Sequence, residues 1–94
     1  MRIKWTRFAA VDVEEIVEYI KGSNPNAAHR IARKIWDAVK MLSDHPEIGR
    51  PGRVMGTREL VVSNTPYIIP YRIKKNSLHI LRMMHAAIKW PKRF

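Results

Sequence analysis

The sequence predicts an α+β fold: a short N-terminal strand and an antiparallel two-helix hairpin, packed on a small twisted antiparallel sheet. Three observations predict it. Two long segments carry apolar residues at helical spacing, a tight Gly-Ser-Asn-Pro turn joins them, and three strand-like runs separated by short turns follow. Each helix has an apolar stripe that needs a flat surface to cover it, and the runs at the C-terminal end supply one.

In chain order, Arg2-Ile3-Lys4-Trp5-Thr6 alternates polar and apolar and predicts a half-buried strand over residues 2–6. Thr6 is placed to cap a helix over residues 8–21. Ala9, Val13, Ile16, Val17 and Ile20 form its stripe, with Asp12, Glu14, Glu15 and Glu18 reading as a solvated face. Gly22-Ser23-Asn24-Pro25 stops that helix and starts another, which runs to Leu42 on a stripe of Ala28, Ile31, Ala32, Ile35, Val39 and Leu42. Residues 43–56 hold Pro46, Gly49, Pro51, Gly52 and Gly56 and read as loop. Strands follow over residues 58–63, 67–73 and 78–85, close enough in sequence to form an antiparallel meander. Pro70 cannot donate to a ladder, so it implies an edge position or a bulge. Residues 86–90 read as a helical turn, and Trp5, Trp36 and Trp90 as core anchors.

Ninety-four residues, 46% of them apolar, suit one folded domain over residues 1–94. With no cysteine, the chain has no disulfide, zinc ribbon or thiol nucleophile. No leader pattern opens it and no run approaches a membrane span, so a cytoplasmic protein without membrane contact is expected. No phosphate loop, nucleophile elbow or dinucleotide fingerprint is present, and no cofactor is implied.

The charge is one-sided. Residues 1–49 carry eight basic and seven acidic side chains, a net of +1; residues 50–94 carry ten and one, a net of +9. Such a field points to an anionic partner such as a nucleic acid or an acidic protein segment. Guanidinium forks grip phosphate or carboxylate with two donors and stay charged. Arg50, Arg53, Arg58, Arg72 and Arg82 are therefore expected to converge on one anion-binding groove. His85 has a side chain suited to proton transfer or to packing, and His79, at even spacing, should face the same side. Two histidines without cysteine or a paired carboxylate make no metal site. Tyr67 and Tyr71 share a face, suited to stacking on bases or to packing. Glu59, beside Arg58, should point to the opposite face from it.

Several runs together resemble the RelE/ParE superfamily of bacterial toxins. They are Ile48 through Val62, Thr65-Pro66-Tyr67-Ile68-Ile69 with Tyr71-Arg72, and Ile80-Leu81-Arg82-Met83-Met84-His85 before Trp90-Pro91. Trp5-Thr6 and Asn24-Pro25-Asn26-Ala27-Ala28 match as well, so the likeness spans nearly the whole chain in order. It implies the toxin of a type II toxin–antitoxin module, arresting growth and neutralised by a cognate antitoxin through an acidic, partly disordered segment. In the RelE branch, which cleaves messenger RNA on the ribosome, the resemblance makes Arg58 and Arg82 the phosphate-steadying groups and His85 the proton donor. Arg50 and Arg53 would hold the RNA backbone and Tyr67 would stack on a base; in either branch Arg50, Arg53, Tyr67 and Arg72 are the expected nucleic-acid or partner-binding residues. The terminal tyrosine of many such ribonucleases is missing: His85 leads into Ala86-Ala87 and a further segment. In the ParE branch the toxin poisons DNA gyrase without cleaving bonds itself. The run through Arg82 to His85, continuing to Trp90-Pro91, is similar to that branch. A basic nucleic-acid-binding module without toxicity is the remaining reading.

Overall fold

The computed structural model describes residues 1–94. Strand β1 (Arg2–Trp5) leads into helix α1 (Arg7–Ser23), which is followed by α2 (Pro25–Asp44). Then come β2 (Arg50–Pro51), β3 (Arg58–Val61), β4 (Tyr67–Lys74), β5 (Ser77–Ile80) and β6 (Met84–His85). The sheet runs β1-β5-β4-β3-β2, with β6 also paired to β4. Both helices pack against one of its faces. The expected α+β arrangement is present, but the sheet is mixed, because β1 lies parallel to β5.

Side-chain caps set the helix ends. Thr6 Oγ1 accepts from the Ala9 N–H at 3.1 Å and donates to the Leu81 carbonyl at 2.7 Å, so one hydroxyl starts α1 and ties it to the sheet. Asn24 does double duty. Its N–H closes α1 onto the Ile20 carbonyl at 2.8 Å, while its side chain accepts from Ala27 N–H at 3.0 Å to open α2, with Pro25 at the first helical position. One residue therefore connects two helices, which forces the hairpin.

The two stripes close over one face of the sheet. Ala9, Ile35, Val39 and Leu42 meet Val62, Ile69, Tyr71, Leu78, Ile80 and Met83 in the buried core, with Val13, Ile16 and Ile31 packed against it. Trp5 packs against that core as expected, but the other two tryptophans depart from expectation. Trp36 is 64% exposed and meets Trp5 edge-on with centroids 6.5 Å apart, outside the core. Trp90 lies over Arg53. Residues 86–88 form a turn and a bend, and residues 89 and 90 belong to no regular element, where a helical turn was expected.

Pro70 does not lie on an edge: β4 is paired on both sides. Ile80 stands opposite Tyr71 and Met84 opposite Ile68, so four steps along the neighbouring chain match three along β4. Residues 81–83 hold one extra residue, a bulge that sits where Pro70 lacks its donor. The Pro70 carbonyl is still used, accepting from Leu81 N–H at 3.0 Å. The single expected strand over residues 78–85 is therefore two short ones. Side-chain parity reverses between them, and that reversal shapes the candidate site.

Candidate functional site

Across β4, odd residues face the helices and even residues face the other side of the sheet, which is covered at Ile68 and Pro70 and open toward Arg72 and Lys74. His79 pairs with Arg72 on the open side, whereas His85 pairs with Tyr67 on the helix side. The two imidazoles thus point to opposite faces, because the bulge shifts parity by one. The arginine series is divided in the same way.

On the side away from the helices, Glu59 is 3% exposed and carries three donor groups. Arg53 reaches it with its backbone N–H at 2.8 Å and Nε at 3.1 Å, and Arg50 with Nη2 at 3.1 Å. Burial pushes the carboxyl pKa up. The Arg53 N–H and the two guanidiniums outweigh that, leaving it below the ordinary carboxylate value. Arg53 also lies under the Trp90 ring, 3.6 Å from its centroid. Arg50 and Arg53 are therefore tied by one shared carboxylate. The loop between them and β3 is shaped to deliver them. Gly49 lies so close to Tyr71 that a Cβ there would fall 2.5 Å from the phenol oxygen. That phenol accepts from Gly49 N–H at 2.9 Å and donates to the Pro46 carbonyl at 2.8 Å. Tyr71 is thus a buried strut for the loop and offers no face to a base.

On the helix side, Arg82 and Asp12 form a two-pronged pair, Nε to Oδ2 at 2.7 Å and Nη2 to Oδ1 at 3.0 Å. The Met83 N–H adds a third donor to Asp12 at 3.0 Å. Asp12 holds the Arg82 proton more firmly than usual. Arg58 is spent on backbone: its Nη1 donates to the Gly49 carbonyl at 2.8 Å and the Glu47 carbonyl at 3.3 Å.

Arg82, His85 and Tyr67 do come together, lining a groove of about 370 Å³ between α1 and β6 with Asp12, Tyr19 and Met84 among the other walls. Tyr67 and His85 meet edge-to-face at 5.6 Å. Burial, with Tyr19 adding to it, raises the Tyr67 phenol and keeps it protonated. The Ala87 N–H donates to His85 Nδ1 at 3.0 Å, which puts the proton of a neutral ring on Nε2. Arg58 is not part of this groove. Arg72 stands on the open face, in none of the four ion pairs of the chain. The five arginines thus form no single groove, and two carboxylates that hold three of them, Asp12 and Glu59, were not expected to bind anything.

Comparison with known proteins places this geometry. Residues 3–90 match the family model described as the ParE toxin of the type II toxin–antitoxin system parDE. The chain belongs to the ParE toxin family. It is 48% identical over 90 residues to Y4kP of Sinorhizobium fredii, a protein named for a toxin, covering 96% of this chain and 93% of that one. It is 38% identical over 86 residues to Toxin RelE2 of Caulobacter vibrioides, covering 92% and 96%. A chain of the chromosomal ParDE TA system from P. aeruginosa shares the fold at TM-score 0.82 with 33% identity, covering 90% and 95%. A YoeB/ParE toxin from Agrobacterium tumefaciens shares the fold at TM-score 0.62 with 17% identity, covering 90% and 98%. As a ParE-family member the chain is a type II toxin of the RelE/ParE superfamily, and that class implies an antitoxin partner. No helix is long and apolar enough to cross a membrane.

Proposed function

We propose that this toxin arrests growth by binding and poisoning DNA gyrase, cleaves no bond itself, and is silenced by an antitoxin whose acidic, partly disordered segment covers part of its basic surface. The observation that carries this reading is the fate of the guanidiniums. A ribonuclease needs free cations aimed at the scissile phosphate. Here Arg82 is bound to Asp12 and Arg58 to two loop carbonyls, and of the two only Arg82 reaches the groove that holds His85. An induced culture tests it: broken DNA with an SOS response supports gyrase, and translation-dependent cuts within messenger RNA overturn it. Replacing His85 with Ala leaves toxicity intact if the groove performs no proton transfer.

One observation favours the alternative, a ribosome-dependent endoribonuclease. Arg82, His85 and Tyr67 still share a groove with an apolar floor. Under that reading the His85→Ala variant loses toxicity while keeping its fold, and messenger RNA cleavage disappears with it.

A further inference from the structure

The open face of the sheet carries a set of cations that the ion pairs above leave untouched. Lys4 of β1 stands in register with His79 of β5, and His79 with Arg72 of β4. Two residues along, Arg2 aligns with Ser77 and Ser77 with Lys74. Strand alternation sends all six side chains to the same side. The result is two parallel rows, each with a cation at either end and a hydrogen-bonding side chain between. Strands lie about 4.8 Å apart and alternate residues about 6.7 Å apart, so the four cations stand roughly 7 Å by 10 Å at their Cα atoms. Arg2, Lys4 and Lys74 are exposed and Arg72 is half-buried. None of the four enters an ion pair. The one carboxylate on this face, Glu59, is already held by Arg50 and Arg53. The acids Glu14, Glu15 and Glu18 lie on α1, in the layer behind the opposite face.

We infer that this face binds the phosphate backbone of duplex DNA, without reading its sequence. Three features favour that ligand. The cations are paired across a span of roughly 10 Å, between the ~6 Å and ~12 Å widths of the two grooves of B-form DNA, and long side chains adapt to either. The two rows carry no Phe, Tyr or Trp, and their single imidazole, His79, gives no run of faces on which successive unstacked bases would rest, which argues against a single strand. None of their six residues lines any of the grooves of the molecule, so an acidic peptide would find charge there but no pocket for an apolar anchor. Contacts to phosphate position a protein and carry no base information, so the binding is expected to be sequence-independent and steeply salt-dependent. The inference stands apart from the gyrase reading, because it concerns DNA alone with no other protein present.

The test is titration of the full chain against a fluorescent duplex of about 20 base pairs at several KCl concentrations, read by anisotropy. Four phosphate contacts at ~0.9 released counterions each give a slope near 3.6, or an affinity loss of about 150-fold between about 50 and 200 mM KCl. The double variant Arg72→Gln with Lys74→Gln is expected to halve that slope, to about 12-fold over the same range. A control pair on the exposed side of α2, Arg30→Gln with Lys40→Gln, removes the same net charge and should leave the slope unchanged. Circular dichroism checks the folding of each variant. Three outcomes overturn the inference: no duplex binding at about 50 mM KCl, equal losses in the two double variants, or tighter binding of a poly-glutamate peptide that the Arg72/Lys74 variant abolishes. The last would assign the face to an acidic protein segment. Failure here leaves the gyrase reading standing, and failure of gyrase poisoning leaves this binding measurable.

Discussion

The cations of this toxin fall into two populations that look alike in the sequence. Arg50, Arg53 and Arg82 are held by carboxylates with an exposure of 2% or 15% at the side chain, whereas Arg2, Lys4, Arg72 and Lys74 are held by nothing. The first group fixes the loop before β3 and the contact of α1 with the bulge. The second is left to whatever anion arrives. A net charge therefore overstates what is available to a partner. Part of the positive charge is structural, and the part that is not extends into β1, within the half of the chain that is nearly neutral overall.

The comparison breaks most severely at Glu59. Replacing it with Ala leaves Arg50 and Arg53 facing each other and removes the acceptor for the Arg53 N–H. Removing one partner of a buried ion pair costs about 3–5 kcal/mol, and the two guanidiniums are half exposed, so about 2–3 kcal/mol is expected here. Urea unfolding measures it. A loss under about 0.5 kcal/mol would mean that the cluster is ornamental and its arginines are free after all. The loss should be larger than that of Arg72→Ala, which touches no carboxylate and is expected to fall within about 0.5 kcal/mol of wild type.

Asp12→Ala is the second largest change, about 1–3 kcal/mol, since it strips three hydrogen bonds from a half-buried carboxylate. It also sharpens the mechanistic question. The variant frees Arg82 beside His85 in the groove, so a ribonuclease held in check by that ion pair would cut messenger RNA faster once folded. Under the gyrase reading, RNA cleavage stays absent in both proteins.

The third effect is one of pH. The folded-state pKa of Glu59 is depressed, so the protons it binds on unfolding destabilise the native state only in acid. Its contribution is fully present above the ordinary carboxylate value of about 4.3 and is lost as pH falls through the lower folded value. Unfolding midpoints measured downward from pH 6 should drop below about pH 4.5, and less steeply in Glu59→Gln, which has nothing to titrate there. Parallel curves for the two proteins would show that other carboxylates dominate.

Much of this architecture was legible because it is local. Thr6 and Asn24 announce helix ends, the stripes of α1 and α2 repeat at helical spacing, and β1 alternates polar and apolar. What was not legible is what distance in sequence hides. The parallel pairing of β1 with β5 joins residues more than 70 positions apart. The bulge at residues 81–83 was signalled by Pro70, but the extra residue lies in the neighbouring strand, and it alone decides which face His85 occupies. Asp12 did carry a signal: it stands three residues after Ala9 and four before Ile16, on the flank of the apolar stripe and not opposite it. Glu59 carried another, as the lone acid among ten basic residues in the C-terminal half.

The smallest expected effect concerns Trp90, where the tied and the free cations come closest to exchanging roles. Its indole Nε1–H is buried and has no hydrogen-bond partner, a cost of about 1–3 kcal/mol that stacking on Arg53 offsets in part. Trp90→Phe removes the unpaired donor and some ring area but keeps an aromatic face over the guanidinium. The two changes oppose each other, so stability should move by less than about 1 kcal/mol in urea unfolding. Trp90→Ala removes the stack as well and should cost more, with Arg53 gaining solvent and mobility. If the Ala variant is as stable as the Phe variant, the tail does not hold Arg53 in place. Glu59 would then be the sole reason that arginine belongs with the structural group.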